Sequence, residues 1–230
     1  MAAGRTRPPV DEQDFAEPAS SKSLSERAYC RLRDMILTGQ LAPNAALQER
    51  RLAEALNISR TPIREALSRL ESEGMIIRQA GRFPVVRQWT VQEYIEILNV
   101  RRVLEMEAAG LAAAGRVTRE EATRVRAAIN ELMDASAPTS TQHWHCDDMI
   151  HSLISNGSGN SVLAELIQDL RLRTRMFDFT MLPERFKPGC LEHLDIVDAV
   201  MEGDAARART VMADHIDNVK LSILQKLQQM

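Results

Sequence analysis

The sequence predicts a mainly α fold, an N-terminal winged helix-turn-helix followed by an all-α six-helix bundle. Three observations predict it. Residues 23–89 run in the order helix, helix–turn–helix, hairpin. From Thr90 onward the texture is helical only, with apolar residues recurring at i, i+3 and i+4. The breaks in that second part fall at helix-stopping residues: Gly115, the Ala-Pro-Thr-Ser run at 137–140, "NGSGN" at 156–160, Pro183 with Pro188, and Gly203.

Residues 1–20 ("MAAGRTRPPVDEQDFAEPAS") are rich in Pro, Ala and charge without periodicity, and read as a disordered arm. Order is expected from Ser23, where Ser23-Leu-Ser-Glu26 forms a capping box. Ala28, Leu32, Met35 and Ile36 then repeat at helical spacing, and Gly39 and Pro43 end that helix. The segment "QERRLAEAL" is a short second helix with Leu52, Ala55 and Leu56 on its apolar side, broken at Asn57. A third helix carries Ile63, Ala66, Leu67 and Leu70 as its core stripe, tolerates Pro62 in its first turn, and closes at Gly74. Two strands, Met75–Gln79 and Val85–Gln88, are joined around Ala80, Gly81 and Arg82. The winged helix-turn-helix therefore spans 21–89 and the bundle 90–230. Its helices are expected at about 91–114, 118–135, 141–155, 161–181, 188–202 and 204–228, the first two opened by the boxes Thr90-Val-Gln-Glu93 and Thr118-Arg-Glu-Glu121.

Composition narrows the function. The chain has 44% hydrophobic, 27% charged and only 4% aromatic residues, as in globular proteins. Its three cysteines (Cys30, Cys146, Cys190) are odd in number and far apart, which fits a reducing compartment, not a disulfide scaffold. With neither a secretory signal nor a run of about 18 apolar residues, a cytoplasmic protein with no membrane partner is expected. The net charge of −3 is uneven: residues 21–90 carry 12 Lys/Arg against 7 acids, residues 91–230 carry 15 against 21. A basic head on an acidic body suggests that one part alone meets a polyanion.

The third helix names that part. With its apolar stripe turned inward, residues 60, 64 and 68 form a line about 100° away, on solvent. The helix start thus offers Ser59, Arg60, Thr61 and Arg64. Hydroxyls and free amides hold phosphates, and Arg matches the guanine edge in the major groove. A recognition helix reads DNA with its N-terminal residues. Arg82, beside Gly81 at the hairpin tip, is placed to enter the adjacent minor groove. The bland alternative is a solvated basic face; the helix-turn-helix order and the clustering at one end favour DNA.

The bundle carries polar residues on apolar faces. His193 precedes Ile196, Val197 and Val200; His215 lies among Val211, Met212 and Val219; His151 is flanked by Ile150 and Ile154, with Asp147 one turn earlier. Burying an imidazole without a partner costs a few kcal/mol. These residues are most easily satisfied together around a divalent metal such as Zn, Ni or Mn, although satisfied core histidines remain an open reading. His143, His145 and Cys146 are set aside as surface residues near a helix start. Arg101, in the stripe of Leu98, Leu104 and Ala108, has two readings. It is either a structural partner of Glu105 one turn on, or a guanidinium aimed into a cavity to hold a carboxylate.

The run "LQERRLAEALNISRTPIREALSRLESEGMI", with "GRFPVV" after it, resembles the GntR family of bacterial transcription regulators. In that family the DNA-contacting positions match Arg50, Ser59, Arg60, Thr61, Arg64 and Gly81; Arg51 stands where an acidic residue is often found. The Arg-x-x-Leu-Glu helix start, "DDMIHSLISNGSGN" and "EHLDIVDAVMEGDAARARTVMADH" resemble the FCD ligand-binding domain of the FadR branch. That resemblance implies a divalent metal on Asp147, His151, His193 and His215, with Arg101 holding an organic acid beside it. Six helices make the chain similar to the VanR-like subgroup, and Ile150 replaces the usual Phe. The family implies a homodimer on a palindromic operator. The expected function is a transcriptional regulator, a repressor, with operator affinity set by a small carboxylate effector, and not an enzyme. The alternatives are a helical metalloenzyme, against which no separate general base is visible, and a structural dimerisation bundle without metal.

Overall fold

The computed structural model describes residues 23–175 and 185–228. The arm expected at 1–20, the end of the helix expected to reach 181, and the break at Pro183 lie outside the described residues.

The head begins with α1 (Leu24–Leu37), followed by α2 (Glu49–Ala55) and α3 (Arg60–Ser72). Leu32, Ile63, Leu67 and Leu70 are fully buried where α1 crosses α3, so the i, i+3, i+4, i+7 stripe of α3 is the core of this unit. On α2 the buried residues are Leu52 and Ala53, followed by the buried C-cap Leu56; Ala55 is exposed, because the helix rests against α3 by its other flank. Asn57, at φ 51°, makes the left-handed turn between α2 and α3. The box at Ser23 is only half formed: its hydroxyl accepts from the Glu26 amide, while the Glu26 carboxylate reaches Arg69 on α3 instead.

The strands are shorter than expected. β1 (Ile76–Ile77) and β2 (Val85–Val86) pair antiparallel, Ile76 opposite Val86 and Ile77 opposite Val85. Pro84 has no amide to donate, and Gln79 O already accepts from Arg82 N in the tip, so the ladder stops there. An isolated bridge from Ala46 to Val85 adds a third edge.

The bundle holds α4 (Val91–Ala112), α5 (Arg119–Asp134), α6 (Ser140–Gly157), α7 (Ser161–Arg175), α8 (Phe186–Met201) and α9 (Ala205–Gln228). Both expected boxes, Thr90/Glu93 and Thr118/Glu121, are formed in full, and Thr139/Gln142 supplies a third at the start of α6. The central helix α4 packs chiefly on α9 and also against α6, α7 and α8. Leu98, Ala108, Ile167, Ile196 and Met212 fill one core, and Ile129, Ile150 and Val197 a second between α5, α6 and α8. Leu172 of α7 packs against the head's core, joining the two units. Among the described residues no helix is long and apolar enough to cross a membrane.

Candidate functional site

Two polar constellations stand apart from the cores. The first is on the head. Ser59 is the N-cap of α3 but makes no side-chain capping bond, so its hydroxyl is left to outside partners. Ser59, Arg60, Thr61 and Arg64 are all exposed, as are Arg50, Gly81 and Arg82. Glu49, the first residue of α2, joins this surface. Arg64 Nε donates to Glu49 Oε1 at 3.2 Å and its Nη2 to Oε2 at 3.0 Å, while Arg60 Nη2 reaches Oε2 at 3.2 Å. The hydrogen-bonded Arg64 fork, with Arg60, draws the Glu49 carboxyl below its ordinary value. Arg50 pairs with Glu54 at 3.2 Å on the same surface. At the tip Gly81 has φ 73°, a left-handed backbone that suits glycine, and Arg82 Nη1 donates to Gln79 at 3.2 Å.

The second constellation lies inside the bundle. His151 of α6, His193 of α8 and His215 of α9 are buried, and each presents a ring nitrogen within 4.8 Å of the others. Among the described residues they are the group of metal-binding side chains close enough to hold an ion. His193 Nε2 and His215 Nε2 are 3.3 Å apart. Asp147 Oδ1 stands at the rim, 3.7 Å from His151 Nε2 and 3.6 Å from His193 Nε2, too far for hydrogen bonds.

Carboxylates behind the rings set their tautomers. His151 Nδ1 donates to Glu105 of α4, and His215 Nδ1 donates to Glu192 Oε2 at 2.8 Å. Both rings therefore turn Nε2 inward, and His151 Nε2 is buried with no hydrogen-bond partner among the described residues. An orphaned lone pair beside two more imidazole nitrogens and a carboxylate oxygen is a donor set that fits a divalent cation. Burial, together with the nearby Arg171 charge, pushes His151 down to about 4; burial and His215 hold His193 well below its ordinary value. His151 and His193 are therefore neutral at pH 7, the form that ligates metal.

Three arginines balance the acids around the histidines. Arg171 of α7 donates to Asp147 Oδ2 at 2.6 Å and to Asp148 Oδ1 at 2.9 Å. Burial alone would raise the Asp147 carboxyl, but Arg171, with His151 and His193, holds it well below the usual carboxylate range. Arg101 donates through Nε to Glu105 at 2.7 Å and through Nη1 to Thr174 at 3.0 Å. The pairing with Glu105 is thus present, and it also ties Arg101 to the three histidines through His151. Glu192 is gripped by both Nη groups of Arg185, at 2.9 and 2.6 Å, and by Asn218 at 3.0 Å; against the pull of burial, His215 and Arg185 bring its carboxyl down to about 2.

Two expectations need correction. His143 and Cys146 are not surface residues: both are buried, His143 against Phe186 and Cys146 in the α5–α6–α8 core, because they lie on the same helical face as the fully buried Ile150. His145 is exposed, as expected. Glu105 as a partner of His151, and Glu192, Arg171, Thr174 and Glu49 altogether, escaped sequence reasoning, since their partners lie on other helices; for Glu105 the only signal was its spacing from Arg101.

Residues 96–218 match the model of the FCD domain, and residues 24–84 match that of the bacterial regulatory proteins of the gntR family. The chain is a GntR-family regulator with an FCD domain. This GntR regulator is 28% identical over 238 residues to the Uxu operon transcriptional regulator of Escherichia coli (strain K12), an alignment covering 89% of this chain and 90% of that protein. Its fold is similar to that of E. coli McbR/YncC, with a TM-score of 0.74 at 23% identity, over 90% of this chain and 99% of that one. The metal-free FCD domain of TM0439 shares the fold of the second part, with a TM-score of 0.53 at 18% identity, covering 62% of this chain and 99% of that one. The related proteins are transcriptional regulators, not enzymes, and this GntR regulator binds DNA.

Proposed function

We propose that this GntR regulator is a homodimeric repressor whose grip on a palindromic operator is set by a small carboxylate and a divalent metal held together in the bundle. The head, residues 21–89, reads the duplex: Arg60, Thr61 and Arg64 face the major groove, Ser59 and Arg50 hold backbone phosphates, and Gly81 and Arg82 approach the neighbouring minor groove. Residues 90–230 bind metal and effector and pair the two copies, in the manner of the VanR-like subgroup.

The observation that carries the metal assignment is the inward-facing orphan Nε2 of His151, locked in that tautomer by Glu105. Asp147, His151, His193 and His215 would hold the ion, and imidazole with carboxylate suits Zn, Ni or Mn. The bound ion supplies a fixed positive charge for an organic anion. Arg101 supplies a second, and its bonds to Glu105 and Thr174 aim the guanidinium at the same interior.

Transmission to the head is supported by α7. Consecutive residues of that helix touch both ends of the problem: Arg171 holds Asp147, and Leu172 packs on the head's core. A shift of Asp147 toward a metal and its ligand therefore bears on the joint between the units. Regulation requires the ligand to favour one arrangement by its differential affinity. A thermal-shift screen of organic acids, run with Zn and with the metal chelated, tests this reading. An acid that raises the unfolding temperature only when metal is present, and loses that effect in Arg101→Ala, is the expected result. Acids that act identically with and without metal would refute it.

A further inference from the structure

Glu49 is a puzzle on a surface meant for a polyanion. Its carboxylate stands between Arg60 and Arg64, where a negative charge repels phosphate and a neutral residue would bind DNA backbone more tightly. It is also not part of the head's hydrophobic core. Its side chain is 20% exposed, its partners Arg60 and Arg64 are 61% and 62% exposed, and the head's core is made by residues elsewhere on α2 and α3. What Glu49 does is geometric. It takes the Nε–Nη2 edge of Arg64 in a two-bond fork and adds the Nη2 of Arg60. A guanidinium held along one edge has a fixed plane and presents its other edge outward.

We infer that Glu49 is a specificity-determining positioning residue, which sets the plane of Arg64 and the reach of Arg60 so that both address base edges instead of phosphates. The inference rests on the proposed reading of DNA by Arg60 and Arg64. Two effects act in the same direction. Holding the two long side chains in place before binding removes part of the ordering entropy that a base contact would otherwise incur. Any complex in which either arginine swings to a phosphate leaves the Glu49 carboxylate unpaired beside a polyanion, which disfavours non-cognate sites. Glu49 thus raises the ratio of specific to non-specific affinity more than it raises affinity itself.

The test uses the full chain. A duplex of about 30 bp, long enough for two half-sites one turn apart, is first selected from a random pool by the natural protein. Binding to that duplex and to its scrambled counterpart is then measured by fluorescence anisotropy across a salt series, for the natural chain, Glu49→Gln and Arg64→Ala. In Glu49→Gln the scrambled duplex binds more tightly and the specific-to-non-specific ratio falls about tenfold. The slope of log affinity against log salt on the scrambled duplex also steepens by about one to two, as the released arginines take up phosphates. A Glu49→Gln protein with both ratio and slope unchanged, alongside an Arg64→Ala protein that has lost its preference, overturns the role of Glu49 alone. An Arg64→Ala protein that keeps its preference overturns the reading of DNA on which the inference stands.

Discussion

At the scale of single residues, the organisation of the bundle interior follows from where protons sit. His151 and His215 each donate Nδ1–H to a carboxylate, which turns Nε2 of both rings toward the interior. Glu192 is itself fixed by Arg185 and Asn218, which makes it a rigid support for His215. Glu192→Gln is therefore expected to weaken Zn binding about 10- to 100-fold while the fold persists, as read by competition with a chromogenic chelator. Unchanged affinity would show that His215 needs no support or is not a ligand. The histidines were legible in the sequence because each interrupts an apolar face at helical spacing. Their supports were not. Glu105 is four residues from Arg101, a spacing visible in one helix, but its second partner is 46 residues away on α6, and nothing in a linear pattern reports that contact. His143 and Cys146 share the face of Ile150, at i−7 and i−4, and that face is turned into the core by packing against α5 and α8, which the local pattern at the helix start does not reveal.

At the scale of elements, the α4 start is the clearest case of sequence dictating structure. Thr90 accepts from the Glu93 amide and Glu93 accepts from Thr90, while Arg87 adds an ion pair at 2.7 Å. The backbone bond from Thr90 and the contact with Arg87 draw the Glu93 carboxyl down to about 2. A carboxyl depressed in the folded chain adds stability that is complete above its ordinary value of 4.5 and is lost as pH falls toward about 2. Glu93→Gln keeps the box and removes the titration. It is expected to unfold about 2–4 °C below the natural chain at pH 6, with the gap closing as pH falls from about 4.5 toward 2. A gap independent of pH, followed by circular dichroism melts, would contradict the electrostatic account. The boxes at Thr90 and Thr118 could be read because their partners are local. The box at Ser23 failed in half because Glu26 found Arg69 on α3, a tertiary competitor. The strands shrank because Pro84 lacks a donor and the turn takes up the Gln79 carbonyl acceptor, which alternation of apolar residues does not register.

At the scale of the whole molecule, α7 carries the argument. Arg171 neutralises the largely covered Asp147, and the next residue, Leu172, leans on the other unit. Removing Arg171 leaves Asp147 without its nearest countercharge, and breaking a buried pair in this way costs about 3–5 kcal/mol. Arg171→Ala is expected to lower the unfolding temperature of the chelator-treated protein by on the order of 10 °C. Saturating Zn, which brings a substitute charge to Asp147, recovers part of that loss. If Zn gives the natural chain and Arg171→Ala the same increment, Asp147 does not touch the ion. The two-unit layout and the outward-facing start of α3 were legible from periodicity and breaks. The joint was not, since Leu172 looks like any other apolar residue of an amphipathic helix.

The central claim is that the bundle of this GntR regulator is a metal-dependent sensor, and calorimetric titration of the chelator-treated full chain with Zn tests it most directly. The account predicts one ion per chain, bound tightly at pH 7 and lost in His193→Ala. Equal and negligible heat from both proteins, or binding that survives His193→Ala unchanged, would leave the three imidazoles as packing residues and contradict it.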